Sequence, residues 1–357
     1  MRNWKRAFPT RRIVSLDNIL FRADASSAIG SGHLMRCLAL AKAWQHVGGR
    51  VCFLTAESIG ALDERFAQEN IRHERAAVRP GTPEDAEQTV EWARRLGAAW
   101  VVVDGYRFKP DYIHQLKTSG ARVLVMDDDA RFDFYEADVV LNQNIDAKAE
   151  SYRRAASTQL LLGAKYVLLR PEFLAERPRQ ETAGAARRVL VTMGGSDPEN
   201  VASTVVRALA RMEDDFEAIV VAGGGNPHFE SLQELVKTVR GKVRLERSPA
   251  NMATIMSWAD IAISAAGGTC WELAYLGVPM ILITVSRDQE ENMSAISKTG
   301  AALSLGWHAN LSEDDVLGAV RKVMNDPDAR RAMSESGQAL VDGEGAARVV
   351  EFLQSCV

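Results

Sequence analysis

At 357 residues, 46% hydrophobic and 25% charged, the chain has the length of two ordinary domains and enough apolar material to give each a core. A formal net charge of −4 offers no basic excess, which argues against a nucleic-acid partner. The four cysteines (Cys37, Cys52, Cys270, Cys356) lack metal-ligand spacing and read as free thiols of a reducing cytoplasm, and no apolar run approaches the roughly 20 residues of a membrane span.

The chain opens with a basic leader, Met1–Asp17, carrying Arg2, Lys5, Arg6, Arg11 and Arg12. It lacks the apolar stretch of a signal peptide, so it reads as a solvated extension, with weak attachment to an anionic surface as the alternative. Beyond it, short β-branched runs alternate with longer amphipathic ones, the signature of a parallel sheet with helices on its faces. Strands are expected at Asn18–Phe21, Val51–Thr55, Trp100–Asp104, Arg122–Met126 and Val139–Leu141. Helices are expected at Gly32–Val47, Ala61–Glu69, Pro83–Leu96 and Pro110–Thr118. Periodicity fades over Pro171–Arg188, which places an interdomain linker there and bounds the domains at 18–175 and 176–357. The second series has strands at Val189–Thr192, Ala218–Ala222, Val243–Leu245, Ile261–Ser264 and Met280–Thr284, and ends helically from about Ser312 to Phe352. Two such series suggest a cleft between doubly wound domains, with ligands bound beyond the carboxyl ends of the strands.

The loops at those strand ends carry the chemistry. After the first strand comes Arg22-Ala23-Asp24-Ala25-Ser26, and then Gly30-Ser31-Gly32-His33 opens a helix. The two glycines permit a tight turn and close approach of a ligand. The helix start favours anionic or polar ligands and a neutral imidazole, which can accept a proton from water. His33 reads either as such a base or as a helix-start histidine bonded to local backbone; Arg36 one turn on favours the base. A third glycine and an acidic residue after the second strand are both missing, so this is not a dinucleotide fingerprint.

In the second half, Gly194, Gly195 and Ser196 fit backbone donation to a diphosphate or sugar, and equally a plain β-to-α turn, with Pro198 at an early helical position. Gly267, Gly268 and Thr269 form a phosphate cradle at a helix start. Glu272, one turn inside, either reaches ribose hydroxyls or is a solvated helix carboxylate. Asp288, Gln289 and Asn292, beginning a further helix, are candidates for polar contacts to sugar or phosphate. Asp104-Gly105-Tyr106, Asp127–Asp129 and Asn142–Asn144 end first-half strands. The consecutive aspartates diverge in an extended segment, so no metal and no cofactor is expected. Gly-x-Ser-x-Gly is absent, which speaks against a serine hydrolase.

Arg22-x-Asp24-Ala25-Ser26, Gly30-x-Gly32-His33-x-x-Arg36-Cys37-Leu38, the run Gly163 to Phe173, and Gly194-Gly195-Ser196-Asp197-Pro198 together resemble one family. It comprises the UDP-2,4-diacetamido-2,4,6-trideoxy-β-L-altropyranose hydrolases of pseudaminic acid biosynthesis. The resemblance runs from about Ile19 to about Ala302. That family is similar to the glycosyltransferase that forms lipid II, which implies a GT-B fold of two Rossmann-like domains. The resemblance implies that water attacks the anomeric carbon and expels UDP, without a metal, and that His33 activates the water. By the same resemblance Gly267, Gly268, Thr269 and Glu272 hold the nucleotide, and Arg22, Asp24, Asp104 and Tyr106 orient the sugar.

Two departures stand out. Asp288-Gln289 replaces the Asn-Gln that the family commonly shows, and the leader and helical tail exceed its commonest length. Both leave room for a related acylated amino sugar, such as a legionaminic acid precursor. The rival reading is a glycosyltransferase in which His33 deprotonates an acceptor hydroxyl. A non-catalytic sugar-nucleotide sensor would not require His33 in its full loop. Self-association is not legible in the sequence.

Overall fold

The first strand of each half is buried along nearly its whole length, as expected of strands covered by helices on both faces. The computed structural model describes residues 18–26, 30–58, 60–176, 184–239 and 242–356, so the basic leader lies outside the described residues. Two units emerge. One holds the first strand, residues 31–171 and the chain from Gly343 onward; the other holds 172–342.

The first unit contains strands β1 (Asn18–Ala23), β2 (Arg50–Thr55), β3 (Arg72–Arg75), β4 (Ala98–Asp104), β5 (Arg122–Met126), β6 (Val139–Asn142) and β7 (Gln159–Leu162). They form one seven-stranded parallel sheet in the order β3-β2-β1-β4-β5-β6-β7. Helices α1 (Gly32–His46), α2 (Gly60–Gln68), α3 (Pro83–Leu96) and α4 (Pro110–Thr118) connect the strands, and α5 (Pro171–Ala175) lies at the boundary of the units. The order reverses between β1 and β4. That switch point opens a crevice at the carboxyl ends of these two strands, where α/β sheets bind ligands.

The second unit repeats the plan with β8 (Arg188–Thr192), β9 (Glu217–Ala222), β10 (Lys242–Arg247), β11 (Ile261–Ala265), β12 (Met280–Thr284) and β13 (Ala302–Trp307). The order is β10-β9-β8-β11-β12-β13, again parallel, with its switch point between β8 and β11. Its helices are α6 (Val201–Ala210), α7 (Phe229–Val236), α8 (Met252–Trp258), α9 (Thr269–Leu276), α10 (Glu290–Lys298), α11 (Glu313–Asn325) and α12 (Pro327–Leu340). Helix α13 (Gly345–Ser355) completes the chain.

The helical tail expected from about Ser312 to Phe352 consists of three helices. Asp326 accepts from the amide of Ala329 and Pro327 opens α12, so α11 stops there. Buried Arg330 donates to the carbonyls of Val323 and Met324 at 2.9 and 2.6 Å, satisfying the last turn of α11. The final helix does not stay with the second unit, where the expected boundary puts it. Ala346, Val349, Val350 and Leu353 share a core with Leu34, Cys37 and Leu38 of α1. Gly345 lies so close to Val167 that a Cβ there would stand 2.2 Å from the Val167 carbonyl oxygen. Among the described residues no helix is long and apolar enough to cross a membrane.

Candidate active site

Chain order explains how the first site assembles. Gly30 takes φ +74°, a left-handed conformation suited to glycine, and α1 begins two residues later with His33 in its first turn. Asp104 is the last residue of β4, paired directly beside the end of β1. The switch point therefore delivers the two side chains to one place.

His33 Nδ1 lies 2.7 Å from Asp104 Oδ1. Asp104 is fully buried, and burial works against its charge. Arg36 and His33 outweigh that effect and hold the carboxyl far below the usual carboxylate range. An ionised carboxylate only accepts, so the proton of this bond resides on Nδ1. In the neutral ring Nε2 then carries the lone pair, and among the described residues it has no hydrogen-bond partner. The imidazole is 9% exposed, and its ring meets Tyr106 edge-on with centroids 5.0 Å apart.

Arg36, one turn along α1, donates to both Asp104 oxygens at 2.6 and 2.7 Å and to Asp128 Oδ1 at 2.6 Å. Tyr106 is 37% exposed and carries the guanidinium of Arg131 5.1 Å from its ring centre; Arg131 also donates to the Gly105 carbonyl at 3.0 Å. The Cys37 thiol sits 3.6 Å from Asp104 Oδ2, and burial pushes it well above the ordinary thiol range, so it remains a thiol and not a nucleophile.

Several expected contacts occupy other places. Arg22 is completely buried and grips Asp85 with two bonds of 2.8 and 2.9 Å and Asp24 with one of 2.8 Å, its guanidinium over the Phe108 ring. Asp24 accepts from the amides of Ala56 and Glu57 at 2.7 and 2.9 Å. The pair thus ties the end of β1 to the turn after β2 and to the start of α3, instead of facing a sugar. Asp104 is likewise a partner of His33 and not an open carboxylate. The three consecutive aspartates diverge: Asp127 accepts from Tyr135 at 2.8 Å while Asp128 pairs with Arg36. Among the described residues, no group of three or more His, Cys, Asp or Glu side chains could hold a metal.

In the second unit the two glycine loops differ. After β8, Gly194 is left-handed at φ +82°, and Asp197 turns its carboxylate onto the amides of Val201 and Ala202 at 2.8 and 3.0 Å. That carboxylate already satisfies the start of α6, which removes those amides from any phosphate. Pro198 precedes the helix instead of opening it. Gly194, Gly195 and Ser196 are half-buried beside this cap.

After β11 no side chain caps α9, and Gly268, at its N-cap, is exposed. Gly267, Gly268 and Thr269 thus bring open backbone to a helix start, with half-buried Glu272 in the first turn. A Cβ on Gly267 would stand 3.4 Å from Gln289 Nε2, and Gln289 accepts from the Val285 amide at 3.1 Å, so the β12 loop lies against this cradle. Asp288 is exposed beside it. Asn292, expected at the ligand, is instead buried in α10 with its Oδ1 unpaired.

The role of Arg36 on Asp104, and of Asp128 on Arg36, is not evident from sequence. The available signal is positional, since Arg36 lies one turn from His33 and Asp128 follows the strand beside β4.

Residues 188–348 match the glycosyltransferase family 28 C-terminal domain. The spore coat polysaccharide biosynthesis protein SpsG of Bacillus subtilis is 26% identical over 248 residues, 68% of this chain and 73% of that protein. The UDP-2,4-diacetamido-2,4,6-trideoxy-beta-L-altropyranose hydrolase of Campylobacter jejuni is 25% identical over 285 residues, 79% of this chain and 97% of that one. Among solved structures, MurG of Acinetobacter baumannii superimposes with a TM-score of 0.65 at 18% identity, covering 95% of this chain and 99% of that chain. The chain has the GT-B glycosyltransferase fold, as the resemblance implied. It is a glycosyltransferase-like protein related to enzymes that act on UDP-sugars.

Proposed function

We propose that the chain is a nucleotide-sugar hydrolase that cleaves a UDP-linked 2,4-diacetamido-2,4,6-trideoxy sugar. The observation that carries this reading is the His33–Asp104 bond, which leaves Nε2 as a proton acceptor beside exposed Tyr106. His33 takes a proton from water as the water oxygen bonds to the anomeric carbon. The bond from that carbon to the diphosphate oxygen breaks, and UDP leaves with the electron pair. Asp104 keeps the ring in the accepting tautomer and offsets the charge it gains, as the aspartate of a catalytic triad does.

The leaving diphosphate is assigned to the amides of Gly267, Gly268 and Thr269 at the start of α9, where the helix dipole favours negative charge. Glu272 is assigned to the ribose hydroxyls. Asp288 and Gln289 are assigned to sugar or phosphate contacts and Tyr106 to the sugar. The substrate is taken to be a soluble metabolite of the cytoplasm.

The match of 188–348 to a glycosyltransferase domain supports a second reading, in which His33 deprotonates an acceptor hydroxyl. The test is to incubate the full chain with a panel of UDP-linked 2,4-diacetamido sugars in 18O-labelled water, with no acceptor present. The hydrolase releases UDP, and the label appears on the anomeric hydroxyl of the free sugar. No release from any donor until an acceptor is added would replace it with the transferase.

A further inference from the structure

The arrangement around His33 poses an electrostatic problem. A buried carboxylate beside an imidazole favours the imidazolium, and an imidazolium cannot take a proton from water. Asp104 has no solvent to share its charge with. What shares it is Arg36, which covers both Asp104 oxygens and sets its Nη2 3.2 Å from His33 Nδ1. A fixed cation at that distance opposes a second proton on the ring.

We infer that Arg36 is the positioning residue that keeps His33 in its proton-accepting form by dividing the charge of Asp104, and that Asp128, bonded to the same guanidinium, tempers its effect on the ring. The inference rests on the reading of His33 as the base. The groups facing the ring come from three elements. Helix α1 gives Arg36 and the Cys37 thiol behind Asp104. The end of β4 gives Asp104 and the edge of Tyr106, with Arg131 stacked on that tyrosine. The loop after β5 gives Asp128 on Arg36, and Asp127, which lies 3.6 Å from Arg131. Arg36 and Asp128 have opposite charges, so their removal acts on the ring in opposite directions. A purely structural role predicts no such pair of signs.

The experiment follows the His33 ring by 15N NMR in the full chain labelled at histidine, with His33→Ala to assign the signal. In Arg36→Met the ring takes its second proton at a pH higher than in the wild type by about one unit or more. The acid limb of kcat/KM moves the same way, with KM little changed. Arg36→Lys, which keeps the charge but not the fork, recovers most of the shift. Asp128→Asn moves the ring titration to lower pH. Shifts of the same sign in Arg36→Met and Asp128→Asn, or none in either, overturn the inference. If Arg36→Met does not fold, the wild type, Arg36→Lys and Asp128→Asn decide it, and an unmoved Asp128→Asn overturns it. The ring titration needs no turnover, so a chain that releases no UDP defeats the base reading while the charge-sharing claim is still decided by NMR.

Discussion

His33 and Asp104 are 71 residues apart in sequence and joined by a 2.7 Å bond between Nδ1 and Oδ1. The bond depends on a single topological fact. The chain leaves β1 to build one edge of the sheet and returns with β4 on the other side of β1, so the two strand ends open on the same crevice.

Asp104→Asn keeps the shape but places an amide where the ring needs an acceptor, which favours a proton on Nε2 and removes the base. Turnover is expected to fall roughly 10³-fold or more, as for the equivalent change in a catalytic triad, with UDP affinity unchanged. Single-turnover kinetics and a UDP titration check this. Turnover within a few-fold of wild type would show that the aspartate does not set the tautomer.

Arg22 and Asp85 form an ion pair with no exposed surface on either side chain. Asp85→Ala removes two of the three charged bonds of Arg22 and leaves the buried guanidinium with Asp24 alone, so it is expected to lower stability by about 3 kcal/mol in urea unfolding. The triple replacement Arg22→Met with Asp24→Asn and Asp85→Leu, which leaves no buried charge unpaired, should regain much of that loss. A triple variant no more stable than Asp85→Ala would mean that the cluster is needed for more than charge balance.

Gly268 has ordinary helical backbone angles, and a Cβ at this position would meet nothing within 4 Å, so Gly268→Ala should leave unfolding unchanged. The added methyl enters the space before the first turn of α9. UDP affinity measured by calorimetry is expected to fall about tenfold, a loss near 1.4 kcal/mol. Unchanged affinity would remove the phosphate from this loop.

Burial lowers the proton affinity of both His46 and His73 below the ordinary histidine value; for His73, Asp63 works against the shift and Arg75 adds to it. The unfolded chain then binds more protons than the folded one just below that value. Stability is therefore full above it and falls as pH drops through the folded values. Urea midpoints should be lower at about pH 5.5 than at about pH 7.5, with a shallower change in His73→Gln. Buried Asp197, pushed upward mainly by burial, acts in the opposite sense, so the variant and not the total slope carries the comparison.

Much of the fold is legible in the sequence because buried parallel strands are continuous apolar runs, and β1, β4, β8 and β11 stand out as such. The strands the sequence hides lie at or near sheet edges. β3 is Arg72-His73-Glu74-Arg75, with no apolar residue, and β7 and β13 are only partly buried. Such strands are held by backbone pairing and carry little hydrophobic signal. The tail reads as helical from Ser312 to Phe352, and Asp326-Pro327 and the turn at Gly343 divide it into three helices.

At the site, residue types are legible and pairings are not. Arg22, Asp24 and Asp104 stand out as strand-end polar groups, but a sequence does not say whether such a group faces ligand or another side chain. Only the adjacency of β1, β2 and β4 turns Arg22 and Asp24 into a brace and Asp104 into the partner of His33.

The central claim is that His33 takes a proton from water and is not needed to hold the nucleotide. Its most direct test is His33→Ala, with UDP release from the best UDP-linked donor and UDP affinity measured on the same preparation. The expected result is near-complete loss of release with affinity unchanged. Release at the wild-type rate would contradict the claim, and so would a loss of UDP affinity as large as the loss of rate.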